Sequence, residues 1–428
     1  MGTIPFICKK FAQILPILKF CIMIVPGAKN GWKENGFLVI SLIAGILLFM
    51  LSIDILTFSL GRINNKVANE IFMATKNPFV GLFVGILMTA LIQSSSTISA
   101  MVVAVVASGS IDLAQAVPVI MGANIGTTLT SNLVALSFIM NKKRFKKALS
   151  AAVLHDFFNI ITVIILFPLE VYFGLLSQLA SYITQSLFVG FADAGEGYGS
   201  QGIFLRPITL WLNEQWVYHL VGLLIGICLL IISIKLLSSL TYRSLISPQF
   251  QKVSKHVFKQ PFRAFSYGVF ATAAVQSSTI TTSLIVTFVA NGRVSLKKIF
   301  PFILGANIGT TITAAIAALY KTEAAISIAI VHFLFNGIGT LIFLPLPGIR
   351  NIPVRLASLF GKQTVKTRYV GILYILLTFF IIPFFLIFFS KGDATGTVEK
   401  EQISPAKKEV SHAALIRHDP LEMSKRWN

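Results

Sequence analysis

Charge is scarce in this chain. Only 12% of its 428 residues are Asp, Glu, Lys or Arg, about half the ~25% usual in a soluble protein. Acidic residues are scarcest, 16 against 36 basic ones. Cysteine is nearly absent. Cys8, Cys21 and Cys228 are odd in number and scattered, which excludes a disulfide framework and a metal cluster. There is no P-loop, no nucleophile–base constellation and no metal-ligand spacing, so the sequence is not read as an enzyme and calls for no cofactor. The basic residues form no compact domain, and nucleic-acid binding is excluded with them. The start lacks the features of a signal peptide. Lys9, Lys10 and Lys19 interrupt its apolar run, and no small-residue cleavage site stands out. Residues 1–35 are expected to be an N-terminal interfacial segment, with an amphipathic helix over 4–28.

What the chain has is apolar length. It is 55% hydrophobic, with a mean hydropathy of +0.80. Long apolar runs recur at 37–53, 157–169, 217–234 and 369–389. A hydrocarbon core of ~30 Å takes about 20 residues of helix. The expectation is an all-α polytopic membrane protein of roughly eight to ten membrane segments, half-length ones included. The net charge of +20 fits a positive-inside bias and attraction to anionic lipid headgroups. It also supplies a field that would steer an anion.

Two polar motifs interrupt this apolar background, and each occurs twice. Gln93-Ser94-Ser95-Ser96-Thr97 is matched by Gln276-Ser277-Ser278-Thr279. Gly-Ala-Asn-Ile-Gly-Thr-Thr follows 29 residues after each glutamine, from Gly122 and from Gly305. Between 93–128 and 276–311, 17 of 36 positions are identical without a gap. The duplication extends outward. Ile46–Leu56 resembles Ile227–Leu237, Gly45 matches Gly226, and Pro78 matches Pro261. Both copies close with His-x-x-Phe-Asn, as His155, Phe158, Asn159 and as His332, Phe335, Asn336, and both reach a Pro-Leu pair at Pro168 and Pro345. This predicts transmembrane repeat 1 over 36–170 and repeat 2 over 213–347.

Charge suggests how the repeats are oriented. Loops 141–147 and 241–263 are rich in Lys and Arg and are placed in the cytoplasm. Residues 171–212 hold one basic residue, Arg206, and a Gly-rich stretch at 192–202. They are read as a flexible non-cytoplasmic linker. On this count the two repeats have inverted topology, an architecture common among transporters. A basic loop and final transmembrane helix are expected over 348–390, and a polar tail over 391–428.

The motif residues carry the chemistry. The apolar arm 79–92, as helix, reaches ~21 Å, too short to cross a bilayer. Polar residues and a second arm, 98–107, follow it. The reading is a re-entrant hairpin with its tip near mid-membrane, repeated at 262–290. A serine hydroxyl both donates and accepts. It suits an anionic oxygen on one side and a cation on the other. The helix beginning after the break turns free N–H groups and a positive dipole end toward the tip. Gly122–Thr128 and Gly305–Thr311 read as a second break in the following helix, with Asn124, Thr127, Thr128, Asn307, Thr310 and Thr311 as oxygen ligands. Close helix packing is the alternative use of those small residues. Asp54 and Lys235 hold equivalent positions; they pair across the core or snorkel to the surface. His155 with Asn159, and His332 with Asn336, share helix faces. They serve interhelical hydrogen bonding or line the site.

These motifs resemble the type II sodium-dependent phosphate cotransporter family, in its bacterial form. The resemblance covers about 36–390. It implies import of inorganic phosphate coupled to Na⁺ by alternating access, in a multi-pass protein of the cell (inner) membrane. The substrate and ion site would be drawn from Gln93, Ser94, Ser95, Ser96, Thr97, Asn124, Thr127 and Thr128, with Gln276, Ser277, Ser278, Thr279, Asn307, Thr310 and Thr311. Na⁺ would take its ligands among the same residues. The chain departs from the pattern at Thr279 and Ile280, which stand where Ser96 and Thr97 do. Its linker has no cysteine and no Asn-x-Ser/Thr site, and its tail is short, as expected of a compact prokaryotic member. A phosphate-responsive membrane sensor or scaffold, or a carrier of another small anion, is the alternative reading.

Overall fold

A computed structural model describes residues 32–62, 75–187, 209, 211, 219–245, 257–319 and 321–389. The expected interfacial helix over 4–28, the Gly-rich stretch 192–202 and the tail from 391 lie outside them. Among the described residues the architecture is all helical, with no strand. The first copy of the repeat contains α1 (Trp32–Arg62), α2 (Pro78–Ile92), α3 (Ser95–Ala107), α4 (Leu113–Gly126), α5 (Leu129–Leu136) and α6 (Lys142–Phe173). A connecting helix, α7 (Leu175–Leu187), follows. The second copy contains α8 (His219–Leu245), α9 (Pro261–Val275), α10 (Ser278–Ala290), α11 (Leu296–Ala318) and α12 (Glu323–Phe343). Then come α13 (Pro347–Lys366) and α14 (Tyr369–Phe389), which carries a π turn at Leu377–Ile381. Met1–Ile387 is one compact unit. Of the second, Phe388–Asn428, only Phe388 and Phe389 are described, their rings 5.6 Å apart edge to face.

Seven helices among the described residues are long and apolar enough to cross a membrane: α1, α4 with α5, α6, α8, α11, α12 and α14. The helices α2, α3 and α10 are apolar but shorter. This is a multi-pass membrane architecture.

The duplication in sequence is a duplication in backbone. Gln93 and Gln276 both adopt left-handed conformation, φ 57° and 53°. Gly109 and Gly292, equivalent in the two copies, do so at φ 74° and 72°. The copies also pack reciprocally. A Cβ on Gly45 would meet Leu237 at 2.7 Å, and one on Gly226 would meet Leu56 at 2.9 Å. Numbers rise along α1 as they fall along α8, so these two helices run antiparallel. Helix α3 packs on α11 and α12, while α10 packs on α5 and α6.

The expected second helix break is corrected. Helix α11 runs unbroken through Gly305–Thr311. In the first copy only a tightened turn at Thr127 and Thr128 separates α4 from α5, and both residues keep right-handed helical angles. The glycines serve close approach instead. A Cβ on Gly122 would collide with the Leu82 carbonyl, and one on Gly85 with that of Val119. Their counterparts Gly305 and Gly268 face the carbonyls of Phe265 and Phe302 in the same way. Small residues let backbones touch, which is how membrane helices associate where no hydrophobic effect drives them together.

Two further readings change. Residues 175–187, taken for flexible linker, are helix α7. Gly174, at φ 61°, ends α6 beyond Pro168, and the Glu170 carboxylate accepts from the N–H groups of Leu176 (2.6 Å) and Ser177 (3.2 Å). The carboxylate thereby satisfies two orphan donors at the start of α7. Thr184 then hydrogen-bonds Ser327 of α12 at 2.9 Å. Residues 348–366, taken for a basic loop, belong to helix α13. Ala357 is buried and Gly361 lies against Ser150 of α6, while Ile352, Leu359, Arg355 and Lys362 are exposed.

Candidate functional site

The same local physics builds both tips. Helix α2 ends where Gln93 turns left-handed and its N–H returns to the Thr89 carbonyl at 2.7 Å; Gln276 returns to Thr272 at 2.7 Å. Glutamine rarely adopts that conformation, so two matched cases mark a specified turn. The next residue restarts the helix. Ser94 is extended and its hydroxyl caps Thr97 N at 3.2 Å; Ser277 is extended and caps Ile280 N at 3.4 Å. Capping falls to Ser94 and Ser277, which leaves the hydroxyls of Ser95 and Ser278, first in their helices, outside the cap.

The tips meet. The Ser96 hydroxyl donates to the Gln276 carbonyl at 2.9 Å, across 180 residues of sequence. Thr97 bonds Ser94 at 2.7 Å. Gln93 is exposed; Ser94, Gln276, Ser277 and Thr279 are half-buried; Ser95, Ser96, Thr97 and Ser278 are buried. Two helix N-termini therefore approach each other, with uncharged donors around them.

A second set of hydrogen bonds forms an asparagine centre. His155 Nε2 bonds Asn307 Oδ1 at 2.7 Å, and Asn307 donates to Asn159 Oδ1 at 3.0 Å. Asn159 donates to the Asn124 carbonyl at 2.6 Å, and Asn336 to Asn124 Oδ1 at 3.1 Å. The two Gly-Ala-Asn-Ile-Gly motifs thus meet the two His-x-x-Phe-Asn helices through hydrogen bonds. His155, Asn159, His332 and Asn336 are all at most 1% exposed.

The four threonines are polarised one way. Thr127, Thr128, Thr310 and Thr311 donate to carbonyls three or four residues back in their own helices, at 2.7–2.9 Å. Each hydroxyl has one proton. What remains toward a ligand is lone pairs, which suit a cation and not an anion.

Asp54 does not pair with Lys235. Its carboxylate meets Lys321 at 2.8 Å, in the turn between α11 and α12, and Lys235 is exposed.

One residue escaped the sequence reading. Asp156 stands inside the first His-x-x-Phe-Asn motif and is fully buried. Its Oδ2 accepts from Asn132 Nδ2 at 2.8 Å and from the Tyr374 hydroxyl at 2.8 Å, while Oδ1 has no hydrogen-bond partner. Ser131, beside Asn132, hydrogen-bonds Thr282 of α10 at 3.0 Å, so the second tip helix connects to this carboxylate. The available signal was an acidic residue in an apolar segment. The matching position in the second copy is Phe333.

Seven candidate spans among the described residues, packed around a buried polar centre, define a multi-pass helical membrane protein. The chain belongs to the Na⁺/Pi-cotransporter family, whose profile matches residues 48–191 and 229–361, more than half of it. It is 32% identical to sodium-dependent phosphate transport protein 2A of Rattus norvegicus, over 81% of this chain and 67% of that protein. The same protein of Ovis aries is also 32% identical, over 78% of this chain and 65% of that one. Sodium-dependent phosphate transport protein 2B of Homo sapiens is 27% identical, over 81% and 64%. The chain thus spans about two thirds of the length of these curated relatives. Their names describe transport, not enzymatic catalysis. No solved structure matches the chain.

Proposed function

We propose that this protein carries inorganic phosphate across the membrane coupled to Na⁺, by alternating access between two inverted halves. The family and the names of its relatives support the cargo. The observation that carries the site is the Ser96–Gln276 hydrogen bond, which joins the two Gln-Ser-Ser tips. Phosphate would lie between them, held by the first N–H groups of α3 and α10 and by the hydroxyls of Ser95 and Ser278. Such donors carry no fixed charge, so a dianion is bound without being trapped. The antiparallel packing of α1 on α8 supports an axis in the membrane plane, as inverted repeats require. With that axis, α2–α3 and α9–α10 are re-entrant hairpins entering from opposite faces.

Na⁺ would be held deeper. The outward lone pairs of Thr127, Thr128, Thr310 and Thr311 offer neutral oxygens, and Asp156 offers a carboxylate in apolar surroundings, where a cation is its natural counter-charge. Thr128 adjoins this carboxylate.

The test is ³²P-phosphate uptake into proteoliposomes with Na⁺ or K⁺ outside. Uptake should require Na⁺, and Ser95→Ala and Ser278→Ala should each abolish it while the protein still inserts and melts normally. Equal uptake in K⁺ refutes the coupling. Wild-type transport by both serine variants refutes the site. Stronger competition by sulfate or a carboxylate than by unlabelled phosphate identifies a different anion.

A further inference from the structure

Helix α14 lies outside both copies of the repeat, yet it reaches the buried carboxylate. Gly371 seats it on α6, where a Cβ would meet Leu149 at 2.9 Å and Phe145 at 3.2 Å. One turn further on, the ring of Tyr374 packs at a tilt against Phe360 of α13, centroids 4.8 Å apart, and its hydroxyl donates to Asp156 Oδ2 at 2.8 Å. Thr378, inside the π turn, adjoins the phenol. Single π turns inside α-helices are rare and cluster at functional sites.

The geometry around Asp156 is uneven. Both donors, Asn132 Nδ2 and Tyr374 OH, bond the same oxygen, Oδ2. Oδ1 is buried and has no hydrogen-bond partner. Two donors on one oxygen fix the carboxylate plane and turn the second oxygen away with its lone pairs unused. A hydroxyl on Oδ2 also stabilises the ionised form in apolar surroundings without neutralising it. A lysine there would pair with the carboxylate outright and displace any other cation. A phenol does not.

We propose that Tyr374 is a positioning residue that sets the affinity for Na⁺ by holding Asp156 with Oδ1 presented, so that a helix outside the duplicated halves tunes the coupling ion. The proposal rests on the reading that Asp156 is a Na⁺ ligand. Tyr374 does not touch the ion; it acts through Asp156. The second copy has Phe333 at the position of Asp156, so this control belongs to one half only.

The experiment is phosphate uptake into proteoliposomes as a function of Na⁺ for the wild type, Tyr374→Phe, Asp156→Asn and the double variant, with thermal melting as a check on folding. Tyr374→Phe removes only the hydroxyl. Losing one hydrogen bond to a charged group should raise the Na⁺ concentration for half-maximal uptake roughly 3- to 30-fold. The KM for phosphate at saturating Na⁺, and the maximal rate, should stay within about twofold, a split that a general loss of structure does not give. With Asp156→Asn present, Tyr374→Phe should shift the Na⁺ response no further. If Tyr374→Phe leaves the Na⁺ response unchanged while Asp156→Asn alters it, positioning by Tyr374 is overturned and the Asp156 site stands. A lower half-maximal Na⁺ concentration shows that the hydroxyl competes with the ion, which also overturns the proposal. A wild-type Na⁺ response in Asp156→Asn overturns the cation site itself, and the role of Tyr374 with it.

Discussion

The Asp54–Lys321 pair makes the most decisive stability prediction. Its charged atoms are 2.8 Å apart and nearly buried, at 12% and 8% side-chain exposure for Lys321 and Asp54. At an effective dielectric of ~20 the gross attraction is about 6 kcal/mol, much of it offset by desolvation of both ions. Removing one partner of such a pair costs up to about 3–5 kcal/mol, because the other loses this counter-charge while it stays buried. The two removals are not equivalent here. Lys321 lies in the turn after α11, and its four-carbon stem allows the ammonium to reach water. Asp54 lies eight residues before the end of α1, about 12 Å inside it, and its carboxylate has one rigid methylene. Lys321→Met should therefore destabilise by up to about 3–5 kcal/mol, and Asp54→Asn by clearly less. The double variant should be more stable than Lys321→Met alone. Thermal melting of the purified protein in detergent gives the three values. The double-mutant cycle separates the ion pair from the other contacts of Asp54. Additive losses, or a larger loss for Asp54→Asn than for Lys321→Met, refute the reasoning.

Two other predictions concern packing and the polar centre. Gly122→Ala and Gly305→Ala each place a Cβ against a backbone carbonyl that cannot rotate away. Each should lower stability by at least about 1–3 kcal/mol, read as a fall in melting temperature, whereas Gly337→Ala, with nothing within 4 Å, should not; equal losses at all three sites would refute the contact assignment. Asn307→Leu strands His155 Nε2 and Asn159 Oδ1. It should cost about 1–3 kcal/mol for each buried group left unpaired, and a melting curve like that of the wild type counts against the network.

What was legible in the sequence follows from which signals have one physical meaning. Polar residues interrupting an apolar run admit few interpretations in a membrane. The expected arms 79–92 and 262 onward therefore correspond to α2 and α9, with the breaks at Gln93 and Gln276. Glycine has two meanings. Gly122 with Gly126, and Gly305 with Gly309, are spaced by four, which is equally a place to unwind and one face of a continuous helix. Only the carbonyls of Leu82 and Phe265 across the contact decide for packing. The partner of Asp54 was out of reach for a geometric reason. In an antiparallel pair related by a two-fold axis, equivalent residues meet only at the axis. Gly45 lies at Leu237 and Leu56 at Gly226, so the axis falls between residues 50 and 51 of α1. Asp54 faces the neighbourhood of residue 228, and Lys235 lies seven residues further along α8, about 10 Å away.

Asp156 was missed for the opposite reason. Comparing two copies of a repeat highlights what they share, and symmetry-related pairs such as Ser95 with Ser278 or Asn124 with Asn307 emerge at once. Symmetry alone would give two equivalent cation positions and no single net charge at the centre. A carboxylate in one half, matched by Phe333 in the other, breaks that equivalence, and a tyrosine from outside both halves is the residue that bonds it. On the proposed function, the shared residues would hold the cargo and the unmatched carboxylate would change the charge that travels with it. The unmatched charge at Asp156 is therefore where the number of ions coupled to each phosphate is to be tested, by counting them for the wild type and for Asp156→Asn.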